Sequence, residues 1–201
     1  MISWQSGKNA SVRAGKATIG VAGELALALF IDSHYRNWKL PWPLYRDILF
    51  YAREHRIPII GLNVERRIVQ QVAEKGFASL TRKHIEKLPG VSCNVNEQYR
   101  KFIRTVFKEH GKNDTAFTYF SEAQMVWDTT LAWNILQFKE DNPQYTVFVI
   151  AGNGHSWKQG FPEQIRQQSD LVFSVILPEL SHAEWKQDYT RRDTDYLWLG
   201  L

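Results

Sequence analysis

The run TVFVIA at 146–151, followed at once by Gly152-Asn153-Gly154-His155, is the stretch whose reading decides the fold. Its length and β-branched content are those of a buried strand, and a loop with two glycines and a histidine follows it without a spacer. In open α/β sheets, ligands bind in the crevice at the carboxyl ends of the strands, so this reading places His155 at that edge. Just upstream, FSEAQMVWDTTLA at 120–132 reads as helix. It puts Gln124 and Asp128 at i and i+4 on one face, bracketed by Met125, Trp127 and Leu131. Packing alone does not need polar side chains there.

Working outward from this pair of segments, the spacing predicts an alternation of helices and strands. Trp42 to His55 reads as a helix with Pro43 in its first turn, leading into a strand at Ile57 to Leu62. Val64 to Lys75 is a charged helix stopped by Gly76, and Thr81 to Leu88 is a short one stopped by Pro89-Gly90. Asn96 is placed to cap a helix whose Tyr99, Phe102, Ile103, Val106 and Phe107 recur at helical spacing, with Gly111 at its end. Asp114 caps a longer helix to about Lys139. A helix at Pro162 to Gln168 and strands at Leu171 to Leu177 and Tyr196 to Leu199 complete the pattern. The expected fold is α/β: a mainly parallel sheet flanked by helices, with a helical subdomain at about 64–139. Residues 1–16 read as a flexible tail and 17–201 as a single domain.

The composition bounds the function. The chain has 201 residues and is 44% hydrophobic, enough for a core. The net charge of +4 is spread among acids, and the tightest group, Glu65-Arg66-Arg67, reads as a helix start. No arginine-rich arm or nucleic-acid motif is present, so no nucleic-acid partner is expected. Cys93 is the only cysteine, which excludes an intrachain disulfide, a thiolate metal cluster and a covalent C-x-x-C-H haem attachment. Lys8, Arg13 and Lys16 precede an apolar stretch from Ala17 to Ile31, in the order of a secretory signal. Glu24 interrupts that stretch, no small-residue cleavage site follows, and there is no early cysteine for a lipid anchor. It is also too short for an ordinary membrane span, so no transmembrane segment is expected.

The helix and loop together resemble the ChaN-like haem-binding uptake proteins, a branch of the superfamily that includes Tiki and TraB proteins. The family's A-Q-x-x-W-D-x-x-M-A pattern stands here as Ala123, Gln124, Trp127, Asp128 and Ala132, with Leu131 where Met is usual. The A-G-x-G-H loop is Ala151 to His155, followed by Gly160, Pro162 and Arg166. PWPLYRDILFYAREHRIPIIGLNV at 41–64, Tyr99 and His110 also fit, and the resemblance covers about 35–200. One departure stands out. Family members usually begin with a Gly-Glu-x-His strand motif and a helix with paired histidines, and the first 40 residues supply neither. Glu24 and His34 are the early candidates, and the chain looks shortened or divergent at its start.

The resemblance implies a protein that binds ferric haem reversibly in haem or iron uptake, at a homodimer interface, with export or membrane association. The candidate cofactor-binding residues are Tyr99, His110, Gln124, Asp128, Gly152, Gly154 and His155, with His84 and Tyr119 weaker alternatives for the iron. Each has a plain reading beside the functional one. His155 is a loop histidine bracing a turn, or an imidazole free to bind metal or act as a base near neutral pH. Asp128 and Gln124 lock a helix to its neighbour, or Asp128 orients His155 and fixes its tautomer. Gly152 and Gly154 let the backbone turn tightly and approach a ligand. Trp127, Met125 and Trp133 read more readily as core than as a cofactor box. Tyr99 sits at an apolar helical position, yet its phenolate is a hard oxygen donor suited to ferric iron. The alternatives are a metal-dependent hydrolase in which His155 binds a divalent ion that activates water, with His155 and Asp128 as the catalytic residues, and a shortened scaffold without activity.

Overall fold

The computed structural model describes residues 16–17, 31–32, 34–35, 40–88, 90–91, 93–106, 114–179 and 189–199. The expected tail at 1–15, Glu24, Phe107, His110 and Gly111 lie outside the described residues. The chain divides into two compact units, 1–63 and 64–201.

In the first unit, the expected helix at 42–55 is two pieces. A 3-10 turn at Trp42–Leu44 carries Pro43, and after Tyr45 comes α1, Arg46–Glu54. Trp42 and Leu49 are buried, with Ile31, Tyr45, Phe50 and Ile59 packed on them. α1 ends with Arg56 in the left-handed region, at φ 54°. Ile57 N donates to Ala52 O at 2.7 Å and Arg56 N to Arg53 O at 3.1 Å, which closes off two carbonyls that the helix leaves open. That turn feeds β2, Ile59–Ile60, which pairs antiparallel with β1, Lys16–Ala17.

The second unit is built on helices: α2 Arg66–Lys75, α3 Arg82–Ile85, α4 Glu97–Val106, α5 Asp114–Asp141, α6 Asn153–Ser156 and α7 Phe161–Gln168. α5, with 28 residues, is the central element. It is about 42 Å long at 1.5 Å per residue. Buried residues occur all round it, as expected for a helix packed on several sides. Its buried hydroxyls are satisfied within the helix: Ser121, Thr129 and Thr130 each donate to the carbonyl four residues back, at 2.7 to 2.8 Å. α2 and α7 both pack against α5. Ile68 and Val72 of α2 meet Ala123 and Val126 in one core. A second core gathers Tyr99, Phe102 and Ile103 of α4 with Phe117 and Met125 of α5, Trp157, Val175 and Leu177.

Two expected helix ends have clear causes. Asn96 caps α4, its Oδ1 accepting from Tyr99 N at 2.8 Å. Gly76 follows α2 at φ 80°, a backbone state that costs glycine nothing, and a Cβ there would lie 2.7 Å from the Tyr119 ring.

The strands depart from expectation. The TVFVIA run forms no ladder: 145–150 carries no regular secondary structure, and Phe148 is 81% exposed. The reason is that β propensity records fit to a pleated surface with neighbours on its edges, and no described strand lies alongside. The strand expected at Leu171 to Leu177 forms only at its end, as β3, Ile176–Pro178, paired in parallel with β4, Tyr196–Trp198. The described residues are therefore a helix-rich α/β arrangement with one antiparallel and one parallel two-stranded pairing, and a larger parallel sheet is not among them.

Candidate functional site

Three elements of the second unit converge on one carboxylate. The Asn96 cap sets the start of α4 and so places Tyr99 in its first turn. The helical spacing of α5 turns Asp128 inward, where it is 1% exposed. The turn after 146–151 brings in His155. Tyr99 Oη donates to Asp128 Oδ2 at 2.7 Å, and His155 Nδ1 donates to Asp128 Oδ1 at 2.7 Å. Both carboxylate oxygens are thus occupied by separate donors. The bond at Nδ1 fixes the tautomer and leaves Nε2 as the imidazole's free nitrogen, with no hydrogen-bond partner among the described residues.

The surroundings are apolar on one side and polar on the other. The Trp127 ring lies 4.8 Å from that of His155. Tyr99 packs on Phe102, and Phe102 on Trp157. Burial, then the charge of Asp128 and the hydrogen bond to it, push the Tyr99 phenol well above its usual range, so it stays neutral. Buried polar atoms of the same two segments lack partners among the described residues: Gln124 Oε1 and Trp127 Nε1 on α5, and Asn153 Oδ1 and Gln159 Oε1 on the turn and its continuation. Native proteins leave few buried polar atoms without a partner, and this set flanks the imidazole in sequence on both sides.

The backbone of the turn is held by a residue that spacing did not single out for that task. Gly152 has φ −60° and a Cβ there would meet only His155 Cδ2 at 3.9 Å, so its conformation is open to other residues. Gly154 lies inside α6. At Gly160, by contrast, a Cβ would fall 2.3 Å from the His155 carbonyl oxygen. The chain doubles back on itself there, and only glycine permits that approach. Lys158 then ties the turn to the strands: its Nζ lies 2.5 Å from Asp195 Oδ1, while Asp195 Oδ2 accepts from Val175 N at 2.8 Å. These contacts hold the Asp195 carboxyl below its usual range.

The structure therefore gathers Tyr99, Asp128 and His155, sets Gln124 one turn before Asp128 on α5, and keeps Gly152 and Gly154 in the turn itself. His110 lies outside the described residues. Arg166 is exposed and paired with Glu163 on its own helix, at 2.6 Å. His84 Nδ1 accepts from Thr81 N, and Tyr119 packs at Gly76, so both serve local structure. Met125 is in the core, as its spacing predicts. No group of three or more His, Cys, Asp or Glu side chains that could hold a metal ion gathers among the described residues. Nor is any described helix long and apolar enough to cross a membrane.

A family model described as haem-binding uptake, Tiki superfamily, ChaN matches residues 19–165. The chain belongs to that family. The matched range takes in α5, the turn and both partners of the Asp128 carboxylate. No curated protein and no solved structure matches the chain.

Proposed function

We propose that this protein binds ferric haem as a cargo, with His155 Nε2 as the iron ligand. The observation that carries the reading is the Asp128 bond to His155 Nδ1. A histidine that donates its other ring nitrogen to a buried carboxylate is held in one orientation and tautomer, which is the arrangement that haem and metal sites use. The donor set fits the group: a neutral imidazole for iron, an indole face beside it, and a Trp127 N–H without a partner that suits an anionic oxygen. Haem would supply a Lewis-acidic iron centre for the imidazole nitrogen. The protein's part is to orient the imidazole, keep its tautomer and shield one face.

Tyr99 enters this reading as the residue that holds Asp128 from the far side, since its hydroxyl is buried and committed to that carboxylate. We place the covering of the second face, and reversible release, with a second copy of the chain, because a planar macrocycle needs cover on both sides. His110 is a second candidate to hold the iron.

The test is a titration of the purified protein with ferric haem, following the Soret band and the solution mass together. The reading requires a saturable endpoint and a histidine-type spectrum that His155→Ala removes and Tyr99→Phe preserves. An equal endpoint and spectrum in His155→Ala would sink it.

A further inference from the structure

His155 stands on an element that cannot fix its own position. α6 is a single turn of four residues, Asn153–Ser156, with no side-chain cap at Gly152 and an extended Trp157 at its far end. A turn of that length is unstable alone in water, because nucleation fixes several residues for one bond. Asp128 holds the ring, so the backbone beneath it must be held from outside the turn. Three consecutive residues after α6 are each gripped by one segment, 189–195. The Trp157 ring packs on that of Tyr189, with centroids 5.5 Å apart. Lys158 N donates to Asp193 O and Lys158 Nζ to Arg191 O, both at 2.9 Å, and Nζ also donates to Asp195 Oδ1 at 2.5 Å. Gln159 Nε2 donates to Asp193 Oδ1 at 3.0 Å.

The gripping segment is itself braced. Thr190 N and Oγ1 donate to Asp193 Oδ2 at 2.9 and 2.7 Å, closing a tight turn. Asp195 N and Tyr196 N donate to Val175 O, Val175 N donates back to Asp195 Oδ2, and the buried Thr194 hydroxyl donates to Val175 O at 2.9 Å. Val175 belongs to the core that also holds Tyr99 and Trp157. The grip reaches His155 at Gly160, the next residue, where a Cβ would fall 2.3 Å from the His155 carbonyl oxygen. Close-packed contacts transmit displacement, so a shift of 157–159 moves His155. The segment 189–195 lies beyond the residues 19–165 that the family model matches.

We propose that 189–195 is a clamp that sets the place of the His155 imidazole against Asp128, with Lys158 and Asp195 as its positioning residues. Resting on the haem reading of His155, the same clamp sets the affinity for that cargo. The Lys158–Asp195 pair is singled out because its side chains are 28% and 34% exposed. Ion pairs that water reaches contribute little to overall stability, so the effect of this one is on geometry. A displacement of about 1 Å at a binding group is enough to weaken a site strongly.

The experiment uses the full chain with isotopically labelled histidine, read by NMR first without haem. The His155 signals are identified by their loss in His155→Ala. At neutral pH the wild type should show one neutral tautomer with its proton on Nδ1, exchanging slowly with water. Lys158→Met keeps the stem and removes the ammonium. In it that proton should exchange about tenfold faster, the worth of one charge-assisted hydrogen bond, and the ring nitrogens should shift toward a mixture of tautomers. Lys158→Arg should restore both signals, and Asp195→Asn should act in the same direction as Lys158→Met. Thermal midpoints should move by no more than about 4 °C. Titration with ferric haem should then give about tenfold weaker binding for Lys158→Met, recovered in Lys158→Arg.

Wild-type ring signals in both Lys158→Met and Asp195→Asn would overturn the proposal. So would a large fall in thermal midpoint with the ring signals intact, which marks an ordinary structural tie, or failure of Lys158→Arg to recover what Lys158→Met loses. Should Lys158→Met not fold, Asp195→Asn decides by the same signals. Altered ring signals with unchanged haem binding would support the clamp and tell against His155 as the iron ligand, so the two readings fail separately.

Discussion

At Asp128 both carboxylate oxygens of the second unit are taken by donors from other elements; in the segment before the turn, at 146–150, no backbone group has a partner among the described residues. Both regions are partly apolar and both are built from segments that flank the same turn. At Asp128 the polar atoms are deeply buried, so each missing bond would cost the full desolvation of its partner. At 146–150 the residues are partly or fully exposed, and a backbone group that water can reach loses little by lacking a protein partner. The comparison teaches that burial decides where bonds must be made. The cluster is closed on the protein side and leaves one imidazole nitrogen without a partner among the described residues, while 146–150 shows no pairing among them.

The sharpest way to break the contrast is Asp128→Ala. It strands a buried phenol and a mostly buried imidazole together, and should cost about 3 kcal/mol or more in denaturant unfolding and abolish haem binding. Gly160→Ala comes next. Its Cβ would need to displace the His155 carbonyl, which lies 2.3 Å away, so a loss of about 2 kcal/mol is expected, with a shift in any His155-dependent spectrum.

Tyr99→Phe removes one bond to a charged acceptor and should cost about 1.5 to 2 kcal/mol at neutral pH. It also has a pH signature. The folded phenol is raised above its ordinary value of 10, so the folded state resists ionisation that the unfolded chain allows. The stability tied to it is intact below about pH 10 and is lost as pH rises from there toward the folded value. Thermal melts from pH 8 to 11 should therefore fall more steeply in the wild type than in the phenylalanine variant. Phe148→Ser is the smallest change. With the ring 81% exposed, stability should stay within about 0.5 kcal/mol by melting, in contrast to each change near Asp128.

Much of this was legible without coordinates, for identifiable reasons. Helices carry their instructions locally: the Asn96 cap, the Asp114 start and the Gly76 stop are short-range events, and the predicted helices appear within a few residues of their expected bounds. The i, i+4 relation of Gln124 and Asp128 is likewise a property of one helix. Strands are different, because their hydrogen bonds go to segments far away in the chain. The composition of 146–151 could announce a strand but could not supply its neighbour. The role of Gly160 was illegible for the same reason, since its need for glycine comes from contact with His155 rather than from its own φ.

The sequence by itself determined the helices and the residues of the helix and loop motifs, because each depends on neighbours within a few positions, and its single cysteine left no intrachain disulfide. Only the tertiary structure decided that Tyr99 donates to Asp128, that Nδ1 is the bonded nitrogen of His155, and that 146–150 finds no strand partner among the described residues. Those outcomes turn on which distant side chain reaches a carboxylate first and which edge finds a partner, and linear spacing carries neither.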